Sequence, residues 1–571
     1  MAKKGFIILM VFAISLLSAC TSDTPSSSNT AATATPGNTA DTGEATDPFG
    51  KYEETVKVSI GQCTDPTNNS LPEGDTPEDN VFTRNVEEVL NVDIEYAWSV
   101  ACGANWDQKL GISIASGDLP DAMVVNQLAL RAMVEAGQLE DMTEVYEKYA
   151  APGVKDVIDA TEGFGINAAT FDGKLMAIPG SKGGADGVHL MYMRKDWLDK
   201  LGLEPPKTID EFEKAIQAMT EKDPDGNGQN DTFGLSGPQS GDGKLNATFL
   251  ESGNNLYGFD PIFSAFDSHP GYWLEGADGK PVYGSTLPET KEALAKLRDW
   301  YAKGWIDKEM GIRKDSAEPI VSGKAGMFSA PWWMGYGPIV DMVKTNPDAN
   351  MLAYTLPLDK DGEYNPHINA PTTEFLVVRK GFGHPEAIAK INNVVFRDSD
   401  KLESDTGLDP GLSPLRLVMS RYDKFEGSVK LLQEVLAGEK PKEVLADQPY
   451  DPNLPNEYDA ILKVKLEPYD NPSIEYWNPE ADWGAFARAY CRLIGVAPLI
   501  DKPMNKVGSL IYSQTKSMES KWANLEKLES ETFMNIIMGF TPLDSFDQFV
   551  ADWKKQGGDQ ITAEVEEFIK E

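Results

Sequence analysis

The run Asp223-Pro-Asp-Gly-Asn-Gly-Gln-Asn-Asp231 places oxygen side chains on alternate positions, at Asp223, Asp225 and Asn227, with Gln229 and Asp231 following at the same spacing. A loop of that pattern wraps carboxylates and an amide carbonyl round a hard cation such as Ca2+, and the glycine at its sixth position, Gly228, permits the sharp turn. The bidentate acid expected at the twelfth position is missing because Gly234 stands there, so a further ligand must come from Thr232, water or elsewhere. The same residues also suit a polar turn that holds no metal. A second candidate is Ser-Ala-Pro-Trp332-Trp333-Met-Gly-Tyr, where two indoles adjoin polar groups. A flat ring beside polar side chains suits a ligand with an apolar face and a polar rim.

Other chemistries lack local support. No Gly-Lys pair precedes Ser or Thr, so there is no Walker A loop, and no G-x-S-x-G elbow occurs. His189, His269, His367 and His384 lie far apart, without zinc spacing. Two acids meeting across a cleft, as in a glycoside hydrolase, stay open as a rival reading. A net charge of −38 argues against nucleic acid as a partner and against binding a bare anionic membrane through the protein's own field.

The elements that position these residues begin after a targeting segment. Lys3 and Lys4 precede an apolar stretch over 6–17, too short to span a bilayer comfortably, and Leu-Ser-Ala-Cys20 closes it. Residues 21–52 are mostly Ser, Thr, Ala, Pro, Gly and Asp and form a flexible tether. From 53 onward strand and helix patterns alternate: strands at 56–61, 92–100 and 122–125, with helices between. Such alternation predicts a parallel sheet covered on both faces, with ligands beyond the carboxyl ends of its strands. Cys63 and Cys102 each follow one of those strands. They meet in a disulfide if the strands are parallel neighbours, or stay as two inert thiols. Residues 190–193 read as a strand, a short helix then ends at Gly202 and Pro205-Pro206, and Thr208 with Glu211 forms a capping box for the next helix.

These motifs, taken in order, resemble the lipid-anchored extracellular solute-binding proteins of sugar ABC importers, in particular the large oligosaccharide-binding lipoproteins of Gram-positive bacteria. The resemblance rests on Arg194-Lys-Asp-Trp-Leu-Asp-Lys-Leu-Gly-Leu203 with the loop behind it, Ala115-Ser-Gly-Asp-Leu-Pro-Asp121, Phe171-Asp-Gly-Lys-Leu-Met-Ala-Ile-Pro179, Val321-Ser-Gly-Lys-Ala-Gly-Met-Phe328, Gly383-His-Pro-Glu-Ala387 and the closing Trp553-Lys-Lys-Gln-Gly-Gly-Asp559. It covers nearly the whole chain beyond the tether. It implies a lipobox with Cys20 as the lipidated residue, a calcium ion on Asp223, Asp225, Asn227, Gln229 and Asp231, and a sugar stacked on Trp332 or Trp333. The loop after the third strand faces the cleft in such proteins, which nominates Asn126 and Gln127, against a plain helix cap there. One of Tyr192 and Met193 looks into the cleft, and Trp273 and Glu374 are further ligand candidates.

The expected architecture is α/β, a two-lobe periplasmic-binding-protein (type II, venus-flytrap) fold with a hinge. A signal peptide over 1–20 and the tether over 21–52 precede it. The first lobe takes 53–180 and 369–470, and the second takes 181–368 and 471–571. The expected function is capture of a carbohydrate between the lobes and delivery to an ABC permease, by a monomer held at the extracellular face of the cell membrane through its lipid and without catalysis.

Overall fold

The computed structural model describes residues 47–570 apart from 65–70, 103, 239–243, 251–254, 407, 449, 452, 465–476, 480–481 and 502–503. The signal segment, Cys20 and nearly all of the tether lie outside the described residues. Residues Thr46–Glu571 form one compact unit.

Its two larger sheets are built from β1 (Val56–Thr64), β2 (Val92–Ala101), β3 (Ala122–Val125), β4 (Ile178–Pro179), β5 (Leu190–Arg194), β6 (Phe233–Leu235), β7 (Ala325–Ala330), β8 (Met351–Tyr354) and β9 (Phe375–Val378). The first-lobe sheet has the order β2-β1-β3-β9-β4. β1 runs parallel to β2 and β3, and β9 returns antiparallel beside β3, with Phe375 opposite Val125. Parallel neighbours need crossovers, supplied by α1 (Val81–Leu90) and α2 (Ala104–Ser116). Asn80 starts α1 by accepting from the backbone N–H groups of Phe82 and Thr83, and Asn91 in the left-handed region ends it. α3 (Gln127–Glu135) follows β3 directly. Val58, Ile60, Val92, Leu376 and Val378 fill the core beneath the sheet, completely removed from solvent.

The second-lobe sheet has the order β8-β5-β7-β6, with β5 antiparallel to both neighbours. All five residues of β5 are buried, because apolar layers cover both of its faces. Met193 enters one core with Trp197 and Phe212, and Tyr192 enters the other, stacked on Phe328 at 4.8 Å. The expectation that strand alternation turns Tyr192 or Met193 into a cleft is therefore corrected: a doubly covered strand has no open face. α4 (Lys195–Leu201) stops at Gly202, whose φ of 69° needs no Cβ penalty. α5 (Ile209–Glu221) carries the Thr208–Glu211 capping box and buries Phe212, Ala215, Ile216 and Met219, as its spacing predicts.

α6 (Pro385–Thr406) packs Ile388, Ile391 and Val394 into the first-lobe core. The packing corrects the expected first-lobe boundary at 470. Phe425, Val429 and Leu432 of α7 (Lys424–Leu436) and Ile461 of α8 (Leu454–Val464) join Leu190, Tyr192 and Phe328 in the second-lobe core. The chain thus leaves the first lobe near residue 420, not 470. The remaining second-lobe helices include α9 (Trp483–Tyr490), α10 (Met518–Met538) and α11 (Asp559–Phe568). Trp273 is also corrected: fully buried, it packs against Tyr283 and Trp553 and belongs to the second-lobe core with Trp300 and Trp305.

Candidate functional site

Three segments join the lobes, and they hydrogen-bond to one another. Gly180 N–H donates to the Glu374 carbonyl, Ser181 N–H to Val418, Lys182 N–H to Pro371 and Gly184 N–H to Tyr422, each at 2.8 Å. Ser420 N–H returns a bond to the Ser181 carbonyl at 2.8 Å. Crossings tied in this way turn together, so the lobes can move about one hinge.

A cavity of about 600 Å³ opens at this hinge. Its walls include Lys182 and Asp186 from the first crossing, Asn369 and Thr373 from the second, Ser420 and Lys424 from the third, and Trp332 and Trp333 from the turn after β7. The tryptophans get there because Pro331 breaks β7 and a 3-10 turn follows over Trp332–Tyr336. That turn lies against the segment after α9: a Cβ on Gly495 would stand 2.1 Å from the Trp332 carbonyl oxygen. A Cβ on Gly187 would likewise stand 2.1 Å from the Asn369 amide, so glycine there leaves room for a polar group at the cavity wall. Trp332 Nε1–H donates to Asp186 Oδ1 at 2.8 Å, its ring meets Phe425 edge-on at 4.9 Å, and the Arg492 guanidinium stands 5.3 Å above it. Arg492 in turn donates to buried Asp451 at 2.7 Å. Indole, carboxylate and guanidinium hold one another, so the ring is fixed before any ligand arrives.

A second cavity of about 460 Å³ shares Val418 with the first and lies at the carboxyl ends of β1 and β3. Gly61, Val125, Asn126, Trp106, Arg416 and Glu374 line it. Cys63 and Cys102 also line it and are joined in a disulfide, because β1 and β2 are parallel neighbours with Cys63 opposite Val100. Cys491 is a buried free thiol.

The structure brings Trp332 and Trp333 to the first cavity and Asn126 and Glu374 to the second. Asn126 is also the cap of α3, accepting from Ala129 N–H at 2.9 Å, and Glu374 accepts from Val418 N–H at 3.2 Å. Both carboxamide and carboxylate therefore hold backbone as well as facing the cavity. Gln127 opens α3 and lines neither cavity. Tyr192 and Trp273 are in the cores, with the Tyr192 hydroxyl donating to the Pro331 carbonyl at 2.8 Å just before the tryptophans. Sequence reasoning passed over Trp106, which stands 5.1 Å from Trp98 at the start of α2. Its place just beyond a parallel strand was the available signal. Tyr512, Phe249, Lys244 and Lys424 had none, since the chain brings them to the cleft from distant segments.

In the 223–231 loop Asp223 accepts from the N–H groups of Gly226, Asn227 and Gly228. The Asn227 amide N–H2 group donates to Asp225 at 2.8 Å and Asp231 at 3.1 Å. Burial and a hydrogen bond with Asp223 raise the Asp225 carboxyl, while that bond and the loop N–H groups hold Asp223 low. Gln229 contributes its N–H to the Asn227 side-chain oxygen. Carboxylates gathered round an amide donor are chemically fit to take a divalent cation in its place. Among the described residues one tighter acidic group occurs, unforeseen in the sequence: Asp267, Asp359 and Asp361, with oxygens within 4.8 Å of one another, could hold a metal. There Asn365 already donates to Asp359 at 2.7 Å, and Lys360 stands 3.1 Å from Asp267.

A family model described as bacterial extracellular solute-binding protein matches residues 91–389, more than half of the chain. Lipoprotein LipO of Bacillus subtilis (strain 168) is 28% identical over 249 residues, 43% of this chain and 45% of LipO. The fructooligosaccharide ABC transporter substrate-binding protein FusA of Streptococcus pneumoniae is 28% identical over 245 residues, 41% of this chain and 42% of FusA. The matched part thus spans less than half the length of these relatives. An HMO-binding, ABC-transporter-associated solute-binding protein from Bifidobacterium longum infantis superposes with a TM-score of 0.56 at 16% identity, covering 90% of this chain and 98% of that one. The FusA EF-hand mutant in complex with fructo-nystose superposes with a TM-score of 0.52 at 19% identity, covering 90% and 99%. These structural likenesses, at such identities, speak for the fold. Two lobed sheets, three bonded crossings, a cleft between them and the matched span agree: the chain belongs to the bacterial extracellular solute-binding proteins.

Proposed function

We propose that the protein captures an oligosaccharide between its lobes and delivers it, uncleaved, to the transmembrane subunits of an ABC importer. The observation that carries this reading is the pair Trp332 and Trp333 at a polar cavity where all three crossings meet. An aromatic face packs on the apolar side of a pyranose or furanose ring, and Asn369, Thr373, Ser420 and the charged groups meet its hydroxyls. The first lobe offers Trp106 and Asn126 on the adjoining wall, so a ligand longer than one sugar touches both lobes. Contacts completed only on closing shift the population toward the closed form, which the permease then recognises.

Cys20 is the lipid attachment in this reading, and the tether over 21–52 lets a monomeric receptor reach its permease from the extracellular face of the cell membrane. No helix among the described residues is long and apolar enough to cross a membrane. The FusA structure with an altered EF-hand supports a calcium ion in the 223–231 loop, held by Asp223, Asp225, Asn227 and Asp231. Its place between α5 and β6, away from both cavities, makes it a structural ion. The test is isothermal titration with fructo- and galacto-oligosaccharides of two to six units. Saturable one-to-one binding that Trp332→Ala weakens supports the reading; binding that Trp332→Ala and Trp333→Ala leave intact contradicts it.

A further inference from the structure

The chain has 90 acidic against 52 basic residues, yet the hinge cavity inverts this balance. Among the described residues its charged lining is Lys182, Lys244 and Lys424 with Asp186, and Lys244 has a partner of its own. Asp186 already accepts from the Trp332 indole. Lys424 stands 3.5 Å from Asp451, a buried carboxylate that also serves Arg492 at 2.7 Å, so one acid is shared between two cations. Glu457, the other buried acid there, serves Arg488 at 3.0 Å and Arg492 at 3.5 Å. Behind the cavity floor three cations therefore face two carboxylates.

Lys182 is the plainest case. Its backbone is fixed in the first crossing by the bond to Pro371, and its half-buried side chain reaches the cavity. Among the described residues its ammonium has neither ion pair nor hydrogen bond. A cation left half-desolvated costs free energy unless something arrives to pair with it. The excess is local: the adjoining first-lobe cavity sets Arg416 against Asp107, Glu374 and Asp409. An anion would be repelled there and drawn to the Trp332 side.

We propose that the ligand is an acidic oligosaccharide, a sugar chain with an anionic substituent that pairs with Lys182 and Lys424 beside Trp332. Its neutral rings lie toward Trp106 and Asn126. The inference rests on the oligosaccharide reading above and names the ligand's charge. Carboxylate and sulfate share the required chemistry, because lysine offers a point charge without the planar fork that selects one anion shape.

The experiment titrates the protein at low salt with trigalacturonic acid, its trimethyl ester and a sulfated trisaccharide. The ester keeps size and hydroxyl pattern and removes the charge. The expected result is that at least one anionic probe binds about tenfold or more tighter than the ester, a preference that salt weakens. Lys182→Gln should abolish most of that preference and Lys182→Arg retain it, with an unchanged melting temperature showing that both variants fold. The stronger anion identifies the substituent. Equal or tighter binding of the ester, a preference that survives Lys182→Gln, or no binding by any of the three overturns the inference. Neutral oligosaccharides titrated in parallel separate the readings: their binding with these probes silent leaves the sugar receptor standing and removes only the acidic ligand.

Discussion

Trp332 shows how a single side chain is prepared for binding. Its indole N–H is bound by Asp186, its edge by Phe425, and Arg492 stands over its ring. Trp332→Ala should therefore weaken oligosaccharide binding by about 10- to 100-fold, the scale of a hot-spot residue, with little change in fold. Trp332→Phe should recover part of this loss, which titration calorimetry would resolve. Glu529 of α10 makes a separate prediction. It is buried, accepts from Tyr283 and Ser285 at 2.9 Å each, and burial pushes its carboxyl up to about 7. A folded-state value above the unfolded one gives stability that is fully present below the unfolded value and lost as pH rises through the folded one. The melting temperature should fall between about pH 5 and 8, and Glu529→Gln should flatten that fall. A variant with the same slope as the parent would place the titration elsewhere. The tryptophans after β7 were nominated through the resemblance of the 321–328 motif, and the structure places both at the hinge cavity. Tyr192 and Trp273 were misread because aromatic type alone does not distinguish a doubly covered strand or a core from a cleft wall.

At the scale of elements, local signals were reliable wherever one side chain decides the outcome. The capping box at Thr208, the stop at Gly202 and the neighbouring ends of β1 and β2 that bring Cys63 to Cys102 all follow from short-range rules. The disulfide closes a loop of 39 residues that carries α1 and one edge of the second cavity. Its replacement by Cys63→Ser with Cys102→Ser should cost about 3–4 kcal/mol of stability, measured by chemical denaturation. The loop after α5 makes a second claim. Ca2+ should raise the melting temperature and chelation should lower it by a few degrees, and Asp223→Ala should abolish the response. Sugar affinity should barely change, since the loop touches neither cavity. An unaltered calcium response in Asp223→Ala would point instead to Asp267, Asp359 and Asp361. Those three were illegible beforehand, because nearly a hundred residues separate the first from the others and only folding joins them.

For the whole molecule, the alternation of strand and helix before residue 180 predicted the parallel strands of the first-lobe sheet, and the resemblance at 368–378 predicted the return through β9. The third crossing near Ser420 was missed because Leu417-Val-Met-Ser-Arg-Tyr-Asp423 has none of the glycine or proline that marked the first. Its bonds to Ser181 are long-range and have no local signature. Among the described residues two ring contacts also join the lobes away from the crossings: Phe164 meets Tyr512 edge-on at 6.1 Å, and Arg131 of α3 stands 3.7 Å over Phe568 of α11. Arg131→Ala should shift the lobes apart, increase the radius of gyration in X-ray scattering without ligand and weaken sugar affinity, because less of the population is closed. An unchanged scattering profile would show that this contact does not hold the lobes. The central claim, capture without chemistry, is tested most directly by mass spectrometry of oligosaccharide recovered after prolonged incubation with the protein from Thr46 onward. One intact ligand per chain, retained through gel filtration and released on denaturation, is the predicted result. Shortened sugars accumulating beyond one per chain would contradict it and make the cleft a site of hydrolysis.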